Sequence, residues 1–139
     1  RVNLSDAQIR KLCLAAGLMA HVAWVDRAVA QEVKRTMTQA LKEGWNLSDI
    51  EAQLVTDIAC SQAVKGLDVV RLAWNFFGQT THPERKDFVR VLFQVANAAQ
   101  NTSSEEIKMI QFIATSLKLA HQEFIEAKLT IPSADRGGM

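Results

Sequence analysis

Residues 81–99 read THPERKDFVRVLFQVANAA, and this stretch decides the fold class. Thr81 and Glu84 have the spacing at which a hydroxyl and a carboxylate each accept from the other's backbone N–H at a helix start. Pro83 falls in the first turn, where a missing N–H removes no helical bond. Phe88, Val91, Leu92, Val95, Ala96 and Ala99 follow at three- and four-residue steps, which lines one side of an α-helix.

The same grammar extends in both directions. Asp68 caps a shorter helix carrying Val69, Leu72, Ala73, Phe76 and Phe77, with Gly78 after it. Ser48-Asp49-Ile50-Glu51 is a second capping box. It opens a helix whose expected buried face is Ile50, Leu54, Val55 and Ile58, ended by Gly66. Before it, Val29–Glu43 predicts a helix burying Val29, Val33, Met37, Ala40 and Leu41, with Gly44 as its left-handed stop. The first helix opens at Ser5 and Asp6 and runs to about Asp26 on Ile9, Leu12, Cys13, Ala16, Ala20 and Ala23. Toward the other end, Thr102–Glu106 caps a sixth helix carrying Ile107, Ile110, Ala114 and Leu117, and His121–Leu129 predicts a seventh before Pro132. No segment alternates with period two over a strand's length. The pattern predicts an all-α, single-domain bundle of about seven helices over residues 1–131, with a flexible C-terminal tail at 132–139.

Composition agrees. A chain of 139 residues makes one domain and hides roughly two-thirds of its extended surface on folding. With 48% hydrophobic and 22% charged residues it is no disordered segment. A formal charge of +1 is too balanced for a nucleic-acid footprint, so no nucleic-acid partner is expected. Two cysteines, Cys13 and Cys60, are too few for a disulfide framework. Both fall in apolar helical patterns and are expected as buried free thiols in a reducing cytoplasm. The run Leu12–Val25 after Arg10 and Lys11 imitates a secretory signal. It starts in a capped amphipathic pattern, carries His21, and falls short of the roughly 20 residues that cross a bilayer, so it reads as a core helix.

The two ends of the chain also resemble each other. Leu18–Glu32 reads LMAHVAWVDRAVAQE, and 73 positions later Val91–Glu105 reads VLFQVANAAQNTSSE. Val22-Ala23 falls on Val95-Ala96 and Glu32 on Glu105; further on, one residue drops out, and Leu47 and Glu51 match Leu119 and Glu123. One reading is a pair of pseudo-twofold-related three-helix units with an intervening fourth helix. The other is chance similarity between two amphipathic stretches.

The search for chemistry is largely negative. There is no phosphate-binding glycine loop, no His-Glu-x-x-His, no Cys-x-x-Cys and no Gly-x-Ser-x-Gly turn. Cys13 and His21 sit about 12 Å apart along one helix, too far for a nucleophile–base pair. His82 and His121 fall at predicted helix starts, and Trp24, Trp45 and Trp74 are expected as core or helix-junction anchors. Glu84 and Asp87 interrupt the cationic group of Arg85, Lys86 and Arg90, which reads as a solvated face. A protein without catalytic activity is expected. The interhelix turns are richer, with Asp26 ending one helix, Glu32 in the first turn of the next, and Glu105 and Glu106 in the equivalent turn of the second unit. Carboxylates there interact with the helix dipole and cap free N–H groups. Alternatively, these four oxygen ligands converge on a hard divalent cation, Ca, Mg or Mn.

With these residues in view the chain resembles the tellurite-resistance TerB-like domains, which are related to the N-terminal domain of a membrane-anchored J-domain co-chaperone. The family's doubled phrase is Val-Ala-x-Ala-Asp-Gly-x-hydrophobic-Ser-x-x-Glu. The first copy here begins Val22-Ala23-Trp24-Val25-Asp26-Arg27 and ends Gln31-Glu32-Val33; the second begins Val95-Ala96-Asn97-Ala98-Ala99-Gln100 and ends Ser104-Glu105-Glu106. Gly44-Trp45-x-Leu47-Ser48 and Leu119-x-x-x-Glu123-Phe124 support it. The resemblance implies a seven-helix, pseudo-twofold bundle, no catalysis, metal-ion binding, and a role in stress responses with membrane-linked protein assemblies. The expected location is the cytoplasm, with the inner membrane surface reached through protein partners, and a homodimer is a further option for a scaffold without the ion. The chain departs from the pattern in each copy. The first keeps Asp26 but has Val33 where the family has Glu; the second keeps Glu106 but has Ala99 where the family has Asp. Arg27 and Gln100 replace the glycines. Each copy holds half of an acidic pair, so the implied site is a composite, and a scaffold that has lost the ion is the alternative.

Overall fold

The computed structural model describes residues 4–26, 31–61, 66–98 and 102–132. Among them the chain forms α1 (Asp6–Ala23), a 3₁₀ turn (Trp24–Asp26), α2 (Gln31–Trp45), α3 (Asp49–Ala59), α4 (Val69–Gly78), α5 (His82–Ala96), α6 (Ser104–Ser116) and α7 (His121–Lys128). The described part is all helical, as the periodicity predicts. The expected positions Val29 and Ala99 and the tail beyond Pro132 lie outside the described residues.

Local sequence sets most boundaries. At α3, the Ser48 hydroxyl accepts from Glu51 N–H at 3.2 Å while the Glu51 carboxylate accepts from Ser48 N–H at 2.9 Å. Thr81 and Glu84 close the same box at α5, and Asp68 caps α4 through Val70 N–H. Three ends differ from expectation. The first helix stops at Ala23, and Trp24–Asp26 tightens into a 3₁₀ turn. Helix α3 stops at Ala59, seven positions before Gly66. Helix α2 continues through Gly44 to Trp45, and the left-handed residue is Asn46 with φ 54°. Leu47 N–H then reaches back to the Lys42 carbonyl at 3.1 Å, which closes a Schellman stop.

Helix α1 is the central element and packs against α2, α3, α4, α5 and α6. From Ala15 through Ala20 and again at Val22 and Ala23 its residues are buried, so this helix has an inner side nearly all round. Gly17 permits the close approach of α4, since a Cβ there would stand 3.2 Å from Leu72 Cδ1. Helices α1, α2 and α3 touch one another, as do α5, α6 and α7, and α5 also lies on both α1 and α2. Phe76 stacks on Phe88 with ring centroids 4.5 Å apart, tying α4 to α5; Phe93 and Phe124 do the same for α5 and α7 at 5.6 Å.

Six expected core or anchor positions are exposed. Ile9 and Cys13 on α1 are exposed, because the buried arc shifts toward Ala15, Leu18 and Met19 once several helices surround it. On α3 the expected face is turned outward: Ile50, Leu54 and Ile58 are 82%, 59% and 57% exposed. The inner face is the small-residue series Ala52, Thr56 and Ala59. Trp74 is 67% exposed and anchors nothing in the core. Among the described residues, no helix is long and apolar enough to cross a membrane.

Candidate functional site

The acidic turns sit where three short-range devices meet. The 3₁₀ turn ending at Asp26 packs against α6, the helix whose first turn carries Glu105 and Glu106. Across the other junction, the Thr102 hydroxyl donates to Asn97 Oδ1 at 3.0 Å, clamping the end of α5 to the start of α6. Thr102 is fully buried, so this bond is made away from water. Ser103 and Glu106 form a capping box: Glu106 Oε1 accepts from Ser103 N–H at 2.9 Å, and Ser103 Oγ accepts from Glu106 N–H at 3.1 Å.

The four candidate carboxylates therefore have different environments. Glu106 is 5% exposed with one oxygen engaged in the cap. Glu105 is exposed and accepts from Ser104 Oγ at 3.3 Å. Glu32 is exposed in the first turn of α2. The Asp26 side chain lies outside the described residues. Among the described residues no three of His, Cys, Asp or Glu come together as a metal-holding group. The donor chemistry of the proposed set is all oxygen, which suits a hard cation such as Ca²⁺, Mg²⁺ or Mn²⁺ and not a thiolate-preferring one. A site here would need Asp26 beside Glu105 or Glu106, with carbonyl or water oxygens completing the shell.

Sequence reasoning missed two features. His21 Nε2 is buried without a hydrogen-bond partner. Burial lowers its pKa below the ordinary histidine value, partly opposed by a bond to the Leu67 backbone and by the Asp68 carboxylate. The second is a cleft of about 710 Å³ whose lining includes Met19, Trp45, Leu47, Phe76 and Phe88. Lys11 and Glu84, also in its lining, form an ion pair at 3.1 Å. The Thr81 backbone N–H and then Lys11 hold the Glu84 carboxyl below the usual carboxylate range. None of the four candidate acids lines this cleft. Neither feature has a periodic or motif signal, because both depend on which helices meet.

His82 and Glu123 pair at 2.6 Å, joining α5 to α7, and that contact followed by the Ala120 backbone N–H lowers the Glu123 pKa. Arg85 donates to the Phe77 carbonyl at 3.0 Å with its guanidinium over the Phe77 ring, and Arg90 pairs with Asp87. These cations are occupied locally and form no open basic patch.

No curated protein and no solved structure matches the chain. The sequence profile described as tellurite resistance protein TerB matches residues 12–129, from the seventh residue of α1 to just past the end of α7. That span takes in both acidic turns, the Schellman stop at Asn46 and every helix but the first six residues of α1, and the chain belongs to the TerB family of tellurite-resistance proteins.

Proposed function

We propose that this TerB-family domain has no catalytic activity of its own and serves tellurite and related stress responses by weak binding of a divalent cation through its acidic interhelix turns. The observation that supports the reading is the packing of the Asp26 turn on α6, the helix whose first turn carries Glu105 and Glu106. Asp26 and Glu105 or Glu106 supply the carboxylates, with Glu32 adding negative charge from α2. Calorimetry with Ca²⁺, Mg²⁺ and Mn²⁺ on the native chain and on Asp26→Asn tests it. Saturable heat that the substitution removes supports the reading; no heat with either protein ends it.

A second reading is favoured by a specific observation. Glu106 already spends one oxygen on its cap, while Glu32 and Glu105 face solvent. In that reading the ion site is lost and the domain is a protein-interaction scaffold, working with membrane-associated stress proteins or as a homodimer. Light scattering separates these: a concentration-dependent mass gives the homodimer, and a constant monomer mass leaves a different partner.

A further inference from the structure

From the outward stripe of α3 we infer a docking site for an amphipathic helix of a partner protein that carries Lys or Arg along the flank of its apolar side that meets Asp57. This deepens the interaction reading above by naming the surface and the chemistry of its occupant. Ile50, Leu54 and Ile58 are four residues apart in succession, so they form one ridge about 12 Å long. All three are more than half exposed. The ridge is not a core face left unfilled. The same helix already has an inner face of Ala52, Thr56 and Ala59, closely packed and bonded to α2 through Thr38 and Thr56, whose hydroxyl oxygens are 2.8 Å apart. Large aliphatic groups on the opposite side contribute little to folding and expose apolar surface to water, the signature of an interaction site.

Charge chooses the occupant. Residues 48–61 contain Asp49, Glu51 and Asp57 and no Lys or Arg. By helical position, Asp57 and Gln53 border one side of the ridge and Glu51 the other; the Glu51 carboxylate is held in the helix cap by Ser48 N–H, so Asp57 supplies the charge open to a partner. Asp57 is exposed and accepts from Gln53 Nε2 at 3.0 Å; Asp49 is exposed and paired with Lys42 at 2.6 Å. The protein as a whole is at +1, so the negative character is local to this helix. An apolar ridge beside the Asp57 carboxylate is matched by a helix with an apolar side and a cationic flank, the helix-on-helix mode of recognition. An anionic lipid surface is disfavoured by the same carboxylates.

The test uses the full chain and two synthetic 18-residue helices with the same leucine stripe, one flanked by Lys and one by Glu. Fluorescence anisotropy gives the affinities and amide shift mapping gives the location. The Lys-flanked helix should bind at least tenfold more tightly than its twin and shift α3 resonances. Leu54→Gln should weaken it tenfold or more with unchanged thermal melting, and Asp57→Lys should weaken it severalfold. Asp26→Asn should leave it unaltered, which keeps this result separate from the cation reading. Equal binding of the two helices, shifts confined to the α1–α5 cleft, or indifference to Leu54→Gln would overturn the inference. So would self-association that Leu54→Gln abolishes, or phosphatidylglycerol vesicles binding through this ridge.

Discussion

Asn46 and Lys118 end their helices in the same way. Both take positive φ, 54° and 63°, and the residue after each sends its N–H five residues back, Leu47 to the Lys42 carbonyl and Leu119 to the Ala114 carbonyl, each at 3.1 Å. The likeness continues one element further, where Glu51 and Glu123 each accept from the backbone N–H three residues earlier. The sequence match of Leu47 and Glu51 to Leu119 and Glu123 thus corresponds to one helix–stop–helix device used twice.

Placing the left-handed stop at Asn46 has a consequence for Gly44. A Cβ at Gly44 would meet nothing within 4 Å, and the residue lies inside α2. Gly44→Ala should therefore raise unfolding stability by about 0.5–1 kcal/mol, the helix-interior difference between the two residues. Lys118→Gly should also stabilise, by up to about 1 kcal/mol, because a side chain is strained in the left-handed region. Asn46→Gly should gain less, since asparagine tolerates that conformation. Urea denaturation measures all three. A destabilised Gly44→Ala would return the stop to Gly44.

What the sequence left legible follows from how local each cause is. Capping boxes span four residues, so the starts of α3 and α5 could be read directly, and the stripe of α5 was read correctly at Phe88, Leu92, Val95 and Ala96. Helix α3 carries two candidate stripes, and periodicity cannot say which one faces in. The decision rests on how closely α2 and α1 approach, and there small side chains displace large ones. The acidic residues were visible through the doubled phrase. Their environments were not, because the burial of Glu106 and the Asn97–Thr102 clamp come from the junction of α5 with α6 and the turn packed on it.

The inner face of α3 gives a second prediction. Thr56 is fully buried and its hydroxyl meets Thr38, which also bonds the Lys34 carbonyl at 2.8 Å. Thr56→Val keeps the volume and removes the inter-helix bond, so it should cost about 1–2 kcal/mol. Thr56→Leu should cost about 1–3 kcal/mol by overpacking. Leu54→Gln on the outer side should stay within about 0.5 kcal/mol of the native chain. Equal losses at positions 54 and 56 would mean that both faces of α3 are packed.

His21 ties stability to pH. Its folded pKa lies below the ordinary value of 6.5, first because burial disfavours the imidazolium. Below 6.5 the unfolded chain therefore binds this proton before the folded chain does, and stability rises with pH across that window. It falls as pH drops from 6.5 through the folded pKa. His21→Gln should flatten this part of the profile in denaturation midpoints taken between pH 5 and 8. An unchanged slope in the variant would show that other groups carry it.

The two thiols should differ sharply in reactivity. Cys13 is exposed on α1, whereas Cys60 is buried at the end of α3, 3.8 Å from Met37 Sδ, and burial pushes its pKa up. Thiolate is the reactive form, so both access and ionisation protect Cys60. A native chain should label once with an aromatic disulfide reagent, at Cys13, and Cys13→Ser should abolish that fast phase. Cys60 should react at least about a thousandfold more slowly, through opening of α3 from α2, and at full speed in denaturant. Mass spectrometry of the labelled chain assigns each site. Two equally fast thiols would contradict the packing that buries Ala59 and Cys60 and turns Ile58 to solvent, and with it the outward ridge of α3.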